Sequence, residues 1–236
     1  MSELQSIKVG FLKTSFIDYP GKISSVIFFP YCNLKCPWCH NSHLVHPEKV
    51  KQESLVPLSE VFNLLEKRKK HITNVVITGG EPTLYKELPE IITQLKAFGF
   101  FVKLDTNGQN SEMIETLCSS EITKPDYIAL DFKVPFFRYN ELSMNIDTYL
   151  KVVTTIKQAR IPFEYRTLIF PNEYLAKKDI EEMSNFVGGD IPWYFSAFKP
   201  GTCLHPEWNT LSGTPKELIE PIVMELQQLG YQAFLR

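Results

Sequence analysis

Ile23-Ser24-Ser25-Val26-Ile27-Phe28-Phe29-Pro30-Tyr31-Cys32 is an apolar run of strand length, ended by a proline with a cysteine just beyond it. A short run rich in β-branched and aromatic residues reads as a strand buried in a parallel sheet. Five further runs have this character, at Thr73–Thr78, Phe101–Asp105, Tyr127–Phe132, Phe163–Ile169 and Trp193–Phe198. Helical patterns lie between them. Leu58, Val61, Phe62 and Leu65 share one face, and Leu88, Ile91, Ile92 and Leu95 share another that Gly99 is placed to terminate. A third face carries Tyr149, Val152, Val153 and Ile156, with Asn145 placed to cap it and Pro162 barring its extension. Further helices are expected over Lys178–Val187 and from Pro215 to Leu229, the latter kinked or started by Pro221.

Strand–helix alternation at this spacing implies right-handed crossovers and a parallel sheet, open or curved into a barrel. Ahead of it, Asp18-Tyr19-Pro20-Gly21 reads as a tight turn closing a hairpin with Val9–Phe11. The expectation is one domain over residues 1–236, with an N-terminal hairpin extension at 1–22, a core at 23–198, and a C-terminal loop and helix at 199–236.

The chain has 44% hydrophobic and 22% charged residues and a formal net charge of −2, an ordinary globular balance with no field to attract nucleic acid or an anionic membrane. The one basic run, Lys67-Arg68-Lys69-Lys70, follows a helical pattern and complements a helix C-terminus. Met1-Ser2-Glu3-Leu4 lacks the basic start and apolar core of a signal peptide, and no apolar run reaches membrane-spanning length. Of five cysteines, three fall within eight residues while Cys118 and Cys203 stand alone. That spacing is not a disulfide framework; it fits thiols kept for metal in a reducing cytoplasm.

Cys32, Cys36 and Cys39 lie in one loop, Phe29-Pro30-Tyr31-Cys32-Asn33-Leu34-Lys35-Cys36-Pro37-Trp38-Cys39-His40-Asn41, at the C-terminal end of a strand where parallel α/β folds place ligands. Pro30 and Pro37 oppose helix and let the loop curl. A thiolate-rich set selects zinc, copper(I) or an iron–sulfur cluster. Zinc remains an alternative, since His40, His43 or His46 can complete a Cys₃His set. One tight triplet fits a cubane cluster better, and three ligands for four irons leave one iron open.

Other strand ends carry polar groups. Thr78-Gly79-Gly80-Glu81-Pro82 is either a plain turn or a place where backbone approaches a ligand, and Asp105-Thr106-Asn107-Gly108 reads as an Asx turn. Period two puts Asp131 and Lys133 on one face of their strand, to be paired with each other or with a ligand. Arg166 shares a face with Glu164 and is read either as its ion-pair partner or as a contact to an anionic ligand; Trp38 and Phe198 are either core aromatics or base-stacking surfaces.

The Cys-x₃-Cys-x₂-Cys order with an aromatic before the last cysteine resembles the radical S-adenosylmethionine enzymes, and Cys39-His40-Asn41 is similar to members that activate glycyl-radical enzymes. The resemblance implies a partial (β/α)6 barrel, one [4Fe–4S] cluster on Cys32, Cys36 and Cys39, and S-adenosylmethionine chelating the open iron, to be cleaved by one electron into methionine and a 5′-deoxyadenosyl radical. It also implies cofactor contacts from Trp38, His40, Gly79, Gly80, Glu81, Asp105, Thr106, Asn107, Asp131, Lys133, Arg166 and Phe198. Asp105, Thr106 and Asp131 are expected to converge, with a monovalent cation or held water between them and the cofactor carboxylate. The phrase Gly10-Phe11-Leu12-Lys13-Thr14-Ser15-Phe16-Ile17-Asp18-Tyr19-Pro20-Gly21 resembles the start of the longer anaerobic ribonucleoside-triphosphate reductase activating proteins. That likeness implies a glycyl-radical enzyme as partner and a flavodoxin- or ferredoxin-like electron donor. A radical enzyme acting on a small molecule, and a structural zinc or electron-transfer protein, are the other classes considered.

Overall fold

The computed structural model describes residues 3–45, 50 and 54–236; His46, Met1 and Ser2, used in the readings above, lie outside them. The chain sorts into two compact units, one from Met1–Asn33, His43–Ile128 and Asp147–Pro162, the other from Leu34–Ser42, Ala129–Ile146 and Phe163–Arg236.

In the first unit, β1 (Lys8–Tyr19) turns through Pro20-Gly21 and runs back as β2 (Lys22–Phe29), Gly10 facing Phe28 and Tyr19 facing Lys22. Gly21 has φ 67°, which its missing Cβ permits. Lys8 and Val9 also pair with the two-residue β3 (Val56–Pro57). On its other side β2 runs parallel to β4 (Asn74–Gly79), and β4 runs parallel to β5 (Phe101–Thr106). Val26, Ile27, Val75, Val76, Ile77, Val102 and Leu104 are fully buried, as runs without a polar face require.

Helices α2 (Leu58–Arg68), α3 (Leu88–Ala97) and α5 (Ile146–Gln158) bury the three apolar faces read from the sequence. Each such side chain contributes roughly 1.5–3 kcal/mol. Lys67 and Arg68 occupy the last turn of α2, as expected of cations at that helix end. Two short helices were not anticipated, α1 (Ser42–Val45) and α4 (Ser111–Cys118). The second is capped by Asn110, whose Oδ1 accepts from Met113 N at 3.2 Å, but two turns are too few for a repeat to stand out.

The second unit takes the end of β6 (Tyr127–Asp131), then β7 (Phe163–Ile169), β8 (Trp193–Ala197) and β9 (Ala233–Leu235), with β7, β8 and β9 parallel. Phe132, Phe136, Tyr165, Phe186 and Trp193 form its aromatic core, Phe136 and Phe186 meeting edge to face at 4.7 Å. Phe136 and Tyr139 pack edge to face, while Phe137 is exposed. Helix α6 (Lys177–Val187) falls where expected, and α7 (Lys216–Gln228) runs through Pro221 rather than starting there. The parallel α/β class and the N-terminal hairpin thus match the sequence reading. No helix of the described residues is long and apolar enough to cross a membrane.

The short β9 was not anticipated, and it ends on a strong interaction. Arg236 grips the fully buried Glu164 with both terminal nitrogens, at 2.8 and 3.0 Å. Arg236→Ala leaves a buried carboxylate without its cation and should cost about 3–5 kcal/mol in urea unfolding, while Glu164→Gln with Arg236 intact should cost less.

Candidate functional site

In the first unit the strand end at Gly79-Gly80 lies against the start of the cysteine loop. Gly80 N donates to Phe29 O at 2.7 Å, and Glu81 N donates to Tyr31 O at 2.8 Å. A Cβ on Gly80 would stand 2.0 Å from Tyr31 O, and one on Gly79 would stand 2.2 Å from Phe29 O. Gly79 also has φ 127°. The glycines are thus required by backbone packing on the loop that carries Cys32. The loop reciprocates with strain of its own, since Tyr31 holds φ 67° without being glycine.

Glu81 is buried, and its carboxylate ties three chain segments together. Oε1 accepts from Thr83 N at 3.1 Å, from Thr83 Oγ1 at 2.6 Å and from Thr106 Oγ1 at 2.8 Å; Oε2 accepts from Asn107 N at 2.8 Å. Burial pushes this carboxyl up from its ordinary range, and the donors of Thr83, Asn107 and Thr106 pull it back. Asn107 in turn donates to Asn33 Oδ1 at 2.8 Å and lies 3.8 Å from Cys32 Sγ. Asp105 is paired with Lys103, a lysine wholly inside the protein. That pair was not foreseen, although Lys103 two residues before Asp105 on one strand was its signal.

The second unit holds Cys36 and Cys39, joined by a Cys39 N to Cys36 O hydrogen bond of 3.0 Å. Burial pushes both thiols up; Lys133 counters it. Lys133 Nζ also pairs with Asp131 Oδ2 at 2.8 Å, while Arg166 places Nη2 and Nε at 2.7 and 3.0 Å from Asp131 Oδ1. Burial would raise the Asp131 carboxyl, but Arg166 and Lys133 outweigh it and hold it at about 2. The expected Asp131–Lys133 pairing is present, with Arg166 as a second cation. Protein cations thus lie beside both Asp105 and Asp131, and the Thr106 hydroxyl donates to Glu81.

Trp38 is buried among Phe170, Tyr174 and Trp208, with ring centroids 4.9, 5.0 and 5.3 Å away. His40 lies 5.7 Å from the buried Phe198, and burial, then the nearby Lys199, push its pKa down. The segment after Phe198 binds this part of the loop: His205 N donates to Pro37 O at 2.9 Å, and Thr202 Oγ1 to His40 O at 2.6 Å. Phe170, Tyr174, Thr202 and Trp208 were not read as site residues, because nothing in their spacing relates them to the cysteines. Cys118 and Cys203 are free thiols; Cys203 is buried and Cys118 is half-buried. Among the described residues, no three His, Cys, Asp or Glu side chains are gathered tightly enough to hold one metal ion.

Comparison with known proteins is consistent with this arrangement. Residues 26–187 match the model of the Radical SAM superfamily. A Methanocaldococcus jannaschii protein with the provisional name of glycyl-radical enzyme activating enzyme is 32% identical over 235 residues, covering 96% of this chain and 91% of its own. The 7-carboxy-7-deazaguanine synthase of Aquifex aeolicus is 44% identical over 78 residues, 33% of this chain and 32% of that one. The crystal structure of Streptococcus suis SuiB bound to S-adenosylmethionine has the same fold, with a TM-score of 0.62 at 16% identity over 89% of this chain and 51% of that one.

Two outcomes test the geometry. Gly80→Ala must displace loop backbone and should lower unfolding stability by about 2 kcal/mol or more, whereas Gly21→Asn, at an open turn, should cost far less. Asp131, held at about 2 against an unfolded value near 3.9, contributes stability that is present above about pH 4 and lost as pH falls through 2. Asp131→Asn should therefore cost on the order of 2 kcal/mol at pH 7 and flatten the pH dependence of urea midpoints between pH 4 and about 2.

Proposed function

The chain belongs to the radical SAM superfamily, and from that premise we propose that it generates a glycyl radical on a partner enzyme, with anaerobic ribonucleoside-triphosphate reductase as that partner. It is a radical SAM oxidoreductase, and its cofactors are a [4Fe–4S] cluster and S-adenosylmethionine. The observation that carries the activating role is likeness along nearly the whole length of the M. jannaschii protein. The phrase from Gly10 to Gly21 supports the reductase as partner.

The donor chemistry fits the cluster. Three thiols from one loop are soft ligands, and Lys133 favours the thiolate at Cys36 and Cys39. Cys32, Cys36 and Cys39 are the proposed ligands. When bound, the cluster and S-adenosylmethionine supply a one-electron reductive cleavage to methionine and a 5′-deoxyadenosyl radical. The protein's part is placement. Gly79 and Gly80 offer backbone at a strand end, held there by Glu81 through Thr83, Thr106 and Asn107. Asp131, Lys133 and Arg166 form a braced charge group for the ribose and carboxylate, and Trp38, His40 and Phe198 supply rings for the adenine. Asp105, fixed by Lys103, completes the set. A flavodoxin- or ferredoxin-like protein in the cytoplasm is the proposed electron donor, and both units are taken to act as one domain.

The partial likeness to 7-carboxy-7-deazaguanine synthase favours a second reading, turnover of a small molecule, but it spans only a third of the chain. The test is anaerobic reconstitution with iron and sulfide, then dithionite, S-adenosylmethionine and the candidate reductase, read by electron paramagnetic resonance for a glycyl radical. A doublet on the reductase is expected, with 5′-deoxyadenosine formed. Labelled hydrogen passing from a free metabolite into 5′-deoxyadenosine, with no protein radical, would select the second reading. Alanine at Cys32, Cys36 or Cys39 should abolish the cluster, whereas Cys118→Ala and Cys203→Ala should retain it.

A further inference from the structure

Asn107 follows β5 directly, with its side chain turned toward the cysteine loop, and only 3% of it is exposed. Four contacts define its setting. Its backbone N–H donates to Glu81 Oε2 at 2.8 Å, and Oδ1 accepts from Gln109 N at 2.9 Å. Nδ2 donates to Asn33 Oδ1 at 2.8 Å and lies 3.8 Å from Cys32 Sγ. The Gln109 N–H can pair only with the amide oxygen, so the orientation of the amide follows from its partners. An NH₂ group has two donors; one goes to Asn33 and the second faces the sulfur. Glu81 holds the backbone beneath it, and Glu81 is fixed in turn by Thr83 and Thr106.

We infer that Asn107 is a positioning residue that donates a hydrogen bond to the Cys32 sulfur and thereby raises the reduction potential of the cluster. The inference rests on the reading that Cys32 is a cluster ligand. Reduction adds an electron that spreads onto the ligating sulfurs, and an N–H donor stabilises the more negative state more than the oxidised one. Asn107 therefore governs how readily an external one-electron donor can charge the site. Its burial matters, because a donor shielded from water interacts more strongly with sulfur than a solvated one.

The experiment is a potentiometric titration of the reconstituted cluster, followed by electron paramagnetic resonance, with iron and sulfide counted in each protein. Asn107→Asp keeps the oxygen that Gln109 needs but replaces the donor with an acceptor; Asn107→Ala removes both. Relative to the wild-type protein, the Ala variant should shift the reduction equilibrium about fivefold toward the oxidised cluster. The Asp variant should shift it about tenfold or more, ~59 mV for a one-electron couple. Full loading with an unchanged potential in both variants overturns the inference. So does loss of the cluster from folded variants, since a tuning bond leaves three thiolates able to bind. Cys32→Ala separates the premise: if it loads a full cluster, the ligand assignment has failed instead. For variants that do not fold, wild-type protein with asparagine side chains labelled with ¹⁵N decides, because absence of any amide-nitrogen coupling in pulsed resonance overturns the inference.

Discussion

The first unit depends on one close approach, the meeting of the Gly79-Gly80 backbone with the backbone of Phe29–Tyr31. With a Cβ on Gly80 only 2.0 Å from Tyr31 O, no side chain fits there without moving the loop. Two hydrogen bonds then lock the approach, Gly80 N to Phe29 O and Glu81 N to Tyr31 O. The consequence is chemical as well as steric. The strand end and the first cysteine of the loop form one rigid element, so Cys32 is presented by a sheet rather than by a free loop.

The same region answers a second problem, a carboxylate taken out of water. Glu81 is satisfied by backbone N–H groups on both of its oxygens and by two hydroxyls, which is how a buried acid avoids an uncompensated desolvation cost. Each of those donors belongs to a segment that must be placed, the turn after β4 or the end of β5. The polar group is therefore a template for the loops around it. Asn107, aligned by Glu81 and turned to Cys32, extends that template to the sulfur.

In the second unit the organising groups are charges. Asp131 keeps Lys133 and Arg166 together, and their positive charge outweighs the burial that would otherwise protonate it. Lys133 also acts on Cys36 and Cys39, where it opposes the rise that burial imposes on both thiols. On the cysteine segment of the same unit Trp38 packs against Phe170, Tyr174 and Trp208. Arg236 holds the buried Glu164 near the start of β7.

The sequence by itself determined the six strands, each within a residue or so of its observed span, since apolar β-branched and aromatic residues dominate them even where Lys103 or Glu164 intervenes. It determined the apolar faces of α2, α3 and α5 because their buried residues recur at helical spacing, and it raised the thiol triplet because the three cysteines are neighbours in the chain. It also raised the Asp131–Lys133 pair, where period two is enough. What only the tertiary structure decided are the meetings of distant residues: Glu81 with Thr106 and Asn107, Asn107 with Cys32, Arg166 with Asp131, Arg236 with Glu164, and Trp38 with Trp208. The full length of β1 and the brief β3 and β9 belong with them, because their strand character comes from a partner's hydrogen bonds rather than from their own composition. Periodicity records which side of an element faces inward. It does not record which residue waits there, and hydrogen bonds and ion pairs depend on that.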